Sequence, residues 1–180
     1  GEAPTSQAEY IPFDLNTEDH APEHGTLDTR RPADGPATKA FEYYRDSYIE
    51  FFDEKNLPAS RKKLNAAVEL QPEEPLYHFI EGLLSLKSKD FQAARCSFDT
   101  CIDLGHAHEE RVGTFYLWRG RALDLLNQRT SALDDYRTVI GLEADPMVHK
   151  AALKGLKRKY SERKMKHIDI DFTFADVVAP

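Results

Sequence analysis

The sequence predicts an all-α fold: three helical hairpins in series, a capping helix behind them, and an extended arm at each end. Three observations predict it. The stretch from Pro75 to His108 holds two amphipathic runs around the short break Lys87-Ser88-Lys89-Asp90. Leu76, Phe79, Ile80, Leu83, Leu84 and Leu86 lie in the first run; Phe91, Ala94, Phe98, Cys101, Ile102 and Leu104 lie in the second. Both follow the three-to-four spacing of a helix with one buried face. The second observation is recurrence. Gly82 is followed by Ala94, Phe98, Cys101 and Leu104, and Gly120 by Ala132, Tyr136, Val139 and Leu142 at the same steps. Tyr48, Ser60, Leu64, Ala67 and Leu70 repeat those steps once more. The third is that strict alternation, the mark of a strand, appears only after residue 167.

Composition bounds the reading. The chain has 180 residues, long enough for one domain with a core of its own. Its apolar runs are too short to span a bilayer. The formal net charge is −7, and it is unevenly placed. Residues 1–36 hold Glu2, Glu9, Asp14, Glu18, Asp19, Glu23, Asp28 and Asp34 against Arg30 and Arg31, whereas the remainder is nearly neutral. An acidic segment of this kind speaks against nucleic acid as a partner. Cys96 and Cys101 are five apart on one predicted helix and are not expected to bridge, so they do not report a compartment. The sequence starts at Gly1 without a charged-then-apolar leader, which reads as a processing boundary. A cytoplasmic location and export with removal of a leader both fit it.

The elements follow in order. Residues 1–36 are rich in proline, lack helical periodicity and are expected to form an acidic extended or disordered arm. The island Tyr10-Ile11-Pro12-Phe13-Asp14-Leu15 is apolar enough to dock in extended form. The helical domain spans 37–166. Its first helix is aromatic-rich, with Phe41, Tyr44, Tyr48, Phe51 and Phe52. Asn56-Leu57-Pro58 breaks it, and Pro58 suits the first turn of the next helix. Gly82 costs about 1 kcal/mol against Ala inside a helix, so it implies close approach of a second helix; Ala94 is the expected neighbour. The three units are 41–74, 75–108 and 113–146, each about 34 residues long. Residues 147–166 form a further helix with Val148, Ala152, Leu156 and Tyr160 on one stripe. That cap carries Lys150, Lys154, Lys157, Arg158, Lys159, Arg163, Lys164 and Lys166 against Glu162 alone. Residues 167–180 form an extended C-terminal arm, in which Ile168, Ile170, Phe172 and Phe174 alternate with Asp169, Asp171 and Thr173.

A helix–turn–helix period of about 34 residues with small and aromatic residues at these steps resembles the tetratricopeptide repeat. The resemblance covers 41–146. Pro72 also falls where that family closes a repeat. Departures are visible: His78 stands where a large aromatic opens the middle repeat, Glu81 and Arg119 precede the Gly positions, and Tyr48 replaces the first Gly. The resemblance implies a right-handed α–α superhelix whose first helices line a concave face. The residues expected on that face are Arg45, Ile49 and Phe52, then Leu76, Phe79, Leu83 and Leu86, then Thr114, Leu117, Trp118, Arg121 and Leu125. Family members that clamp a C-terminal carboxylate of heat-shock chaperones use Lys and Asn there. Arg45, Ile49, Ile80, Thr114 and Trp118 occupy those places here, so the resemblance implies no such clamp.

No motif for catalysis or for a cofactor stands out, and no phosphate loop, HExxH or nucleophile elbow is present. His106 and His108 with Glu109 and Glu110 make an incomplete metal set and read as a solvated loop. Glu81 and Arg119 fall one repeat apart and suggest an inter-repeat ion pair. The expected function is a non-catalytic scaffold that binds a protein or extended peptide on an apolar concave face. The alternative is a carrier that encloses a small apolar ligand or lipid in the same groove. The C-terminal arm is itself a candidate occupant, in the same chain or in a second copy of a homo-oligomer. Contact of the basic cap with a membrane surface ranks below a solvated cap, contacted by the acidic N-terminal segment.

Overall fold

The computed structural model describes residues 35–54, 56–166 and 168. The N-terminal island and the alternating stretch after Ile168 lie outside the described residues. Among the described residues, seven α-helices run α1 (Pro36–Ile49), α2 (Leu57–Leu70), α3 (Pro75–Lys87), α4 (Phe91–Leu104), α5 (Glu109–Leu125), α6 (Arg129–Gly141) and α7 (Pro146–Lys157). A π-helical turn, Glu50–Glu54, extends α1, and a 3-10 turn covers Glu162–Lys166. There is no strand among the described residues. Helices α1 and α2, α3 and α4, and α5 and α6 form the hairpins, with α2 against α3, α4 against α5 and α6 against α7.

Local chemistry sets the helix ends. Proline stands in the first turn of α1, α2, α3 and α7, where its missing N–H costs nothing. Asn56, Asp90 and Asp145 accept hydrogen bonds from the backbone of Ala59, Ala93 and Met147 and so cap α2, α4 and α7. The turns inside the last two hairpins are alike. Lys89 and Asn127 adopt positive φ values of 61° and 64°, and the next N–H donates back to Ser85 O and Leu123 O. That is the wrapped end of a helix that turns without a glycine.

The recurring small residues are explained by what meets them. A Cβ on Gly82 would collide with the ring of Phe98, and one on Gly120 would lie 2.8 Å from the Tyr136 ring. The close neighbour of Gly82 is thus the aromatic ring of the facing helix, rather than the expected Ala94. In the first hairpin the sizes are exchanged: Tyr48 replaces the Gly and Leu64 replaces the aromatic. That hairpin gains a polar fastening, in which Ser47 Oγ donates to Ser60 O at 2.9 Å and Ser60 Oγ to Ser47 O at 2.8 Å. The later hairpins use Glu81 and Arg119 in the same way. Ser97 Oγ donates to Glu81 at 2.9 Å, and Arg119 binds Asp135 through two nitrogens at 2.7 and 2.8 Å. Glu81 and Arg119 do not pair with each other. Arg119 instead reaches back to Asp99 on α4 at 3.1 Å, which makes the inter-repeat bridge with a different acid.

The main core runs through α1 to α5 and includes Tyr44, Leu64, Tyr77, Phe79, Leu83, Phe98, Phe115 and Trp118. A second cluster joins α5, α6 and α7 through Leu117, Ala132, Tyr136, Val139, Val148 and Ala152. The cap differs from expectation. Its helix ends at Lys157, Arg158 is extended, and the chain then leaves the α7 axis. Tyr160 and Met165 from this segment are buried in the main core, with Ile168 packed against it.

Candidate binding face

Residues 158–166, called the strap below, are held by a buried carboxylate. Asp124, at the end of α5, is fully buried. It accepts from the Tyr136 hydroxyl at 2.7 Å, from the Tyr160 backbone N–H at 2.8 Å, and from Arg129 at 3.0 Å on both oxygens. Arg129 also donates to the Gly155 carbonyl at 2.6 Å, which satisfies the open end of α7. The Tyr136 ring is wedged between Gly120 and Gly155, where a Cβ on Gly155 would come within 2.7 Å of it. Burial and the Asp124 carboxylate together push the Tyr136 hydroxyl far above its usual pKa. Asp124 therefore fixes where α7 stops and where the strap begins.

From there the strap crosses α5 and reaches α3, so it lies on the side shared by the first helices of the last two hairpins. The Tyr160 ring stands edge-on to Trp118 at 6.4 Å, and the Arg121 guanidinium lies against both rings, 4.5 Å from Trp118 and 4.8 Å from Tyr160. Lys87 on α3 donates to Met165 O at 2.7 Å, and Lys89 pairs with Glu162 at 3.3 Å.

The residues expected on the concave face fall into three groups. Leu76, Phe79, Leu83, Leu86, Thr114, Leu117 and Trp118 are buried. Ile49, Phe52, Arg121 and Leu125 are half-buried, and Phe52 and Leu125 pack on the main core. Arg45 stands near the surface beside Asp46 at 3.2 Å. Of the positions that correspond to a carboxylate clamp, Ile80, Thr114 and Trp118 are buried.

At the C-terminal end of this face a cavity of about 400 Å³ opens between α5, α7 and the strap. Leu117, Val148, Ala151 and Met147 give it an apolar floor, and Trp118 and Tyr136 add ring edges. Arg121, Lys150, Lys154, Arg158 and Lys164 surround it, and no described carboxylate lines it. The side chains of Lys150, Lys154, Arg158 and Lys164 are exposed and make no ion pair or hydrogen bond. Sequence reading placed these cations on a solvated helix; it missed their convergence because that depends on the break at Arg158.

Other polar groups serve the fold. His78 Nε2 lies 2.6 Å from the Pro72 carbonyl and its Nδ1 3.7 Å from Glu81. The Glu81 carboxylate raises the His78 pKa, and His78 in turn lowers that of Glu81. Cys101 is buried, and its burial lifts the thiol well above its usual range, while Cys96 is exposed. Among the described residues no group of His, Cys, Asp and Glu is arranged to hold a metal ion, and no helix is long and apolar enough to cross a membrane.

Comparison with solved structures places this geometry. The N-terminal domain of stress-induced protein-1 (STI-1) from C. elegans superposes with a TM-score of 0.57 at 16% identity, over 69% of this chain and 100% of that one. The TPR domain of OM64 from Arabidopsis gives 0.57 at 21% identity, over 67% of this chain and 97% of that one. The chain thus has the tetratricopeptide-repeat fold that its periodicity resembles. No protein-family model matches the sequence, and no curated protein does.

Proposed function

We propose that the chain is a non-catalytic scaffold whose hairpin array binds an extended segment of a protein partner on the face shared by α1, α3 and α5. The observation that carries this reading is the strap. A non-repeat segment of the chain already lies on that face, with Tyr160 against Trp118 and Met165 O bonded to Lys87. A surface that accepts one polypeptide through side-chain pockets and a backbone carbonyl is suited to accept another. Residues 167–180 continue from the strap with four large apolar side chains, and the tether gives them a high effective concentration. In this reading they compete with the partner.

Deletion of residues 167–180 tests the proposal. It is expected to raise binding of an apolar dye and to increase affinity for a partner peptide or the tendency to self-associate. Unchanged dye binding, stability and affinity would make the arm a passive tail. The 400 Å³ cavity has the size of a small-ligand site, which is the observation that favours a carrier. Lys150, Lys154, Arg158 and Lys164 around it oppose an apolar cargo, because burying such a ligand there would desolvate their charges without pairing them.

A further inference from the structure

We propose that the ledge formed by Ile49 and Phe52 at the end of α1 is the docking site of the chain's own residues 169–174, bound in cis with Ile170 and Phe172 seated on it. The inference rests on the reading above that the arm competes for this face, and it names the place on the face and the copy of the chain involved.

The path of the strap is the first ground. The repeat register makes Phe52, Leu86 and Asp124 equivalent, since they lie four positions after Tyr48, Gly82 and Gly120. On α5 the strap is fixed at that register by Asp124, which holds the Tyr160 N–H. On α3 it is fixed one position further along, where Lys87 donates to Met165 O. The strap thus follows one row of equivalent positions from the third hairpin to the second. The next member of the row is Phe52. Helices α1 and α3 are neighbours, with the Tyr44 and Tyr77 rings 4.9 Å apart. Packed helices lie about 8–10 Å apart, a distance that about three extended residues cover at roughly 3.3 Å each. Ile168, three residues past Met165, packs on the main core and is the last described residue. Residues 169–174 are the next to come within reach of α1.

The ledge itself is the second ground. Leu83 and Leu86 on α3 are fully buried, whereas their counterparts Ile49 and Phe52 are only half-buried. The surface is apolar and braced from behind: the Phe52 ring stands 4.7 Å from Tyr48 and 4.5 Å from Phe51. The π-helical turn Glu50–Glu54 prolongs α1 beyond Ile49 and carries both phenylalanines. The other described hairpins have no such turn, and π-helical turns recur at functional sites. Residues 169–174 supply the complement in sequence. In extended form Ile170, Phe172 and Phe174 share one side, and Asp169, Asp171 and Thr173 share the other, which stays in water. The short tether from the strap gives the arm a high effective concentration at its own α1, which favours the same chain over a second copy.

The experiment uses the full chain with the photo-crosslinking substitution Phe52→p-benzoylphenylalanine, and Tyr43→p-benzoylphenylalanine, at an exposed position of α1, as the control. Circular dichroism checks that both fold. After near-ultraviolet irradiation, digestion and mass spectrometry should find position 52 joined to residues 169–174 in monomeric protein, and position 43 not. Adding Ile170→Ser with Phe172→Ser should abolish the link. A second measurement leaves the ledge intact. Nitroxides on Asp53→Cys and Asp171→Cys in a Cys96→Ser background, where Asp53 and Cys96 are exposed, should give one narrow distance distribution by double electron–electron resonance. The two serines should broaden it. A link from position 52 to other residues or to none, or a broad distribution before the serines are added, would overturn the docking and leave partner binding on the face standing. A link found only in covalent dimers would overturn docking in cis and assign the ledge to a second copy. A link in the monomer, with partner affinity unchanged on deletion of residues 167–180, would uphold the docking and refute the competition.

Discussion

Removal of the Asp124 carboxylate should release the strap before the rest of the fold. The side chain is 0% exposed and serves three donors. In Asp124→Ala the Tyr136 hydroxyl and the Tyr160 N–H each lose a charged acceptor in a dry site, at about 1.5–3 kcal/mol apiece. The Arg129 side chain is 30% exposed, so it rehydrates and adds only about 0–1 kcal/mol. The total, about 3–7 kcal/mol, is a large share of the roughly 5–15 kcal/mol that holds a domain folded. Asp124→Asn keeps the shape and one acceptor oxygen but turns an NH₂ group toward a donor, so about half that loss is expected. Urea unfolding followed by circular dichroism gives the global midpoint, and the emission of Trp118 reports Tyr160 and Arg121 leaving its ring. Both variants should lower the midpoint, with Trp118 shifting to the red at lower urea than the helix signal is lost. Wild-type midpoints together with unchanged emission would refute the reasoning, because the carboxylate would then have to be hydrated in the folded state.

Three further outcomes are expected. Gly82→Ala should lose stability even though Ala favours helix by about 1 kcal/mol, since overpacking against Phe98 costs about 1–3 kcal/mol; adding Phe98→Leu should cost less than the sum, and a strictly additive double-mutant cycle would show that the two do not meet. For His78 the folded pKa is raised from 6.5, so its contribution is complete below that value and fades as pH rises through the folded pKa; the Glu81 pKa is lowered from 4.5, so its contribution fades as pH falls through its own folded value. Chemical denaturation of His78→Gln should therefore show its largest deficit against wild type between pH 4.5 and 6.5, narrowing above neutrality, whereas a deficit that grows with pH would reverse the assignment. A thiol reagent should modify Cys96 in the native protein and Cys101 only on unfolding, and equal native reactivity of the two would contradict the burial of Cys101.

The hairpins were legible because their signals are local. Apolar spacing, proline at helix starts and the recurrence of Gly82 and Gly120 before Phe98 and Tyr136 need no knowledge of distant partners. The end of the cap was illegible for the opposite reason. Lys157-Arg158-Lys159-Tyr160 contains nothing that breaks a helix. The break is imposed by Asp124, 36 positions earlier, which binds the Tyr160 N–H and so takes it from the helix ladder. Asp124 itself gave no warning, since an acid in an amphipathic pattern ordinarily faces water. Arg119 was read as an ion-pair former, but its acids could not be chosen from spacing alone: Asp135 and Asp99 sit on the helices that follow and precede it.

The bond from Lys87 to the Met165 carbonyl joins positions 78 apart in sequence. Helical repeat arrays ordinarily have low contact order, because each hairpin touches only its neighbours, and they fold and fray by local steps. This contact ties the end of the chain back past α5 to α3. Its closure entropy must be met before it returns any enthalpy, so it forms only once the second and third hairpins stand. Docking of the strap is therefore expected to follow zippering of the hairpins, which stopped-flow Trp118 emission set against the helix signal would test. It also links α3 to the strap across α5, so opening of the strap is expected to be felt in the second hairpin. A ligand that lifts the strap would remove this long-range link and leave the hairpins joined by neighbour-to-neighbour contacts alone.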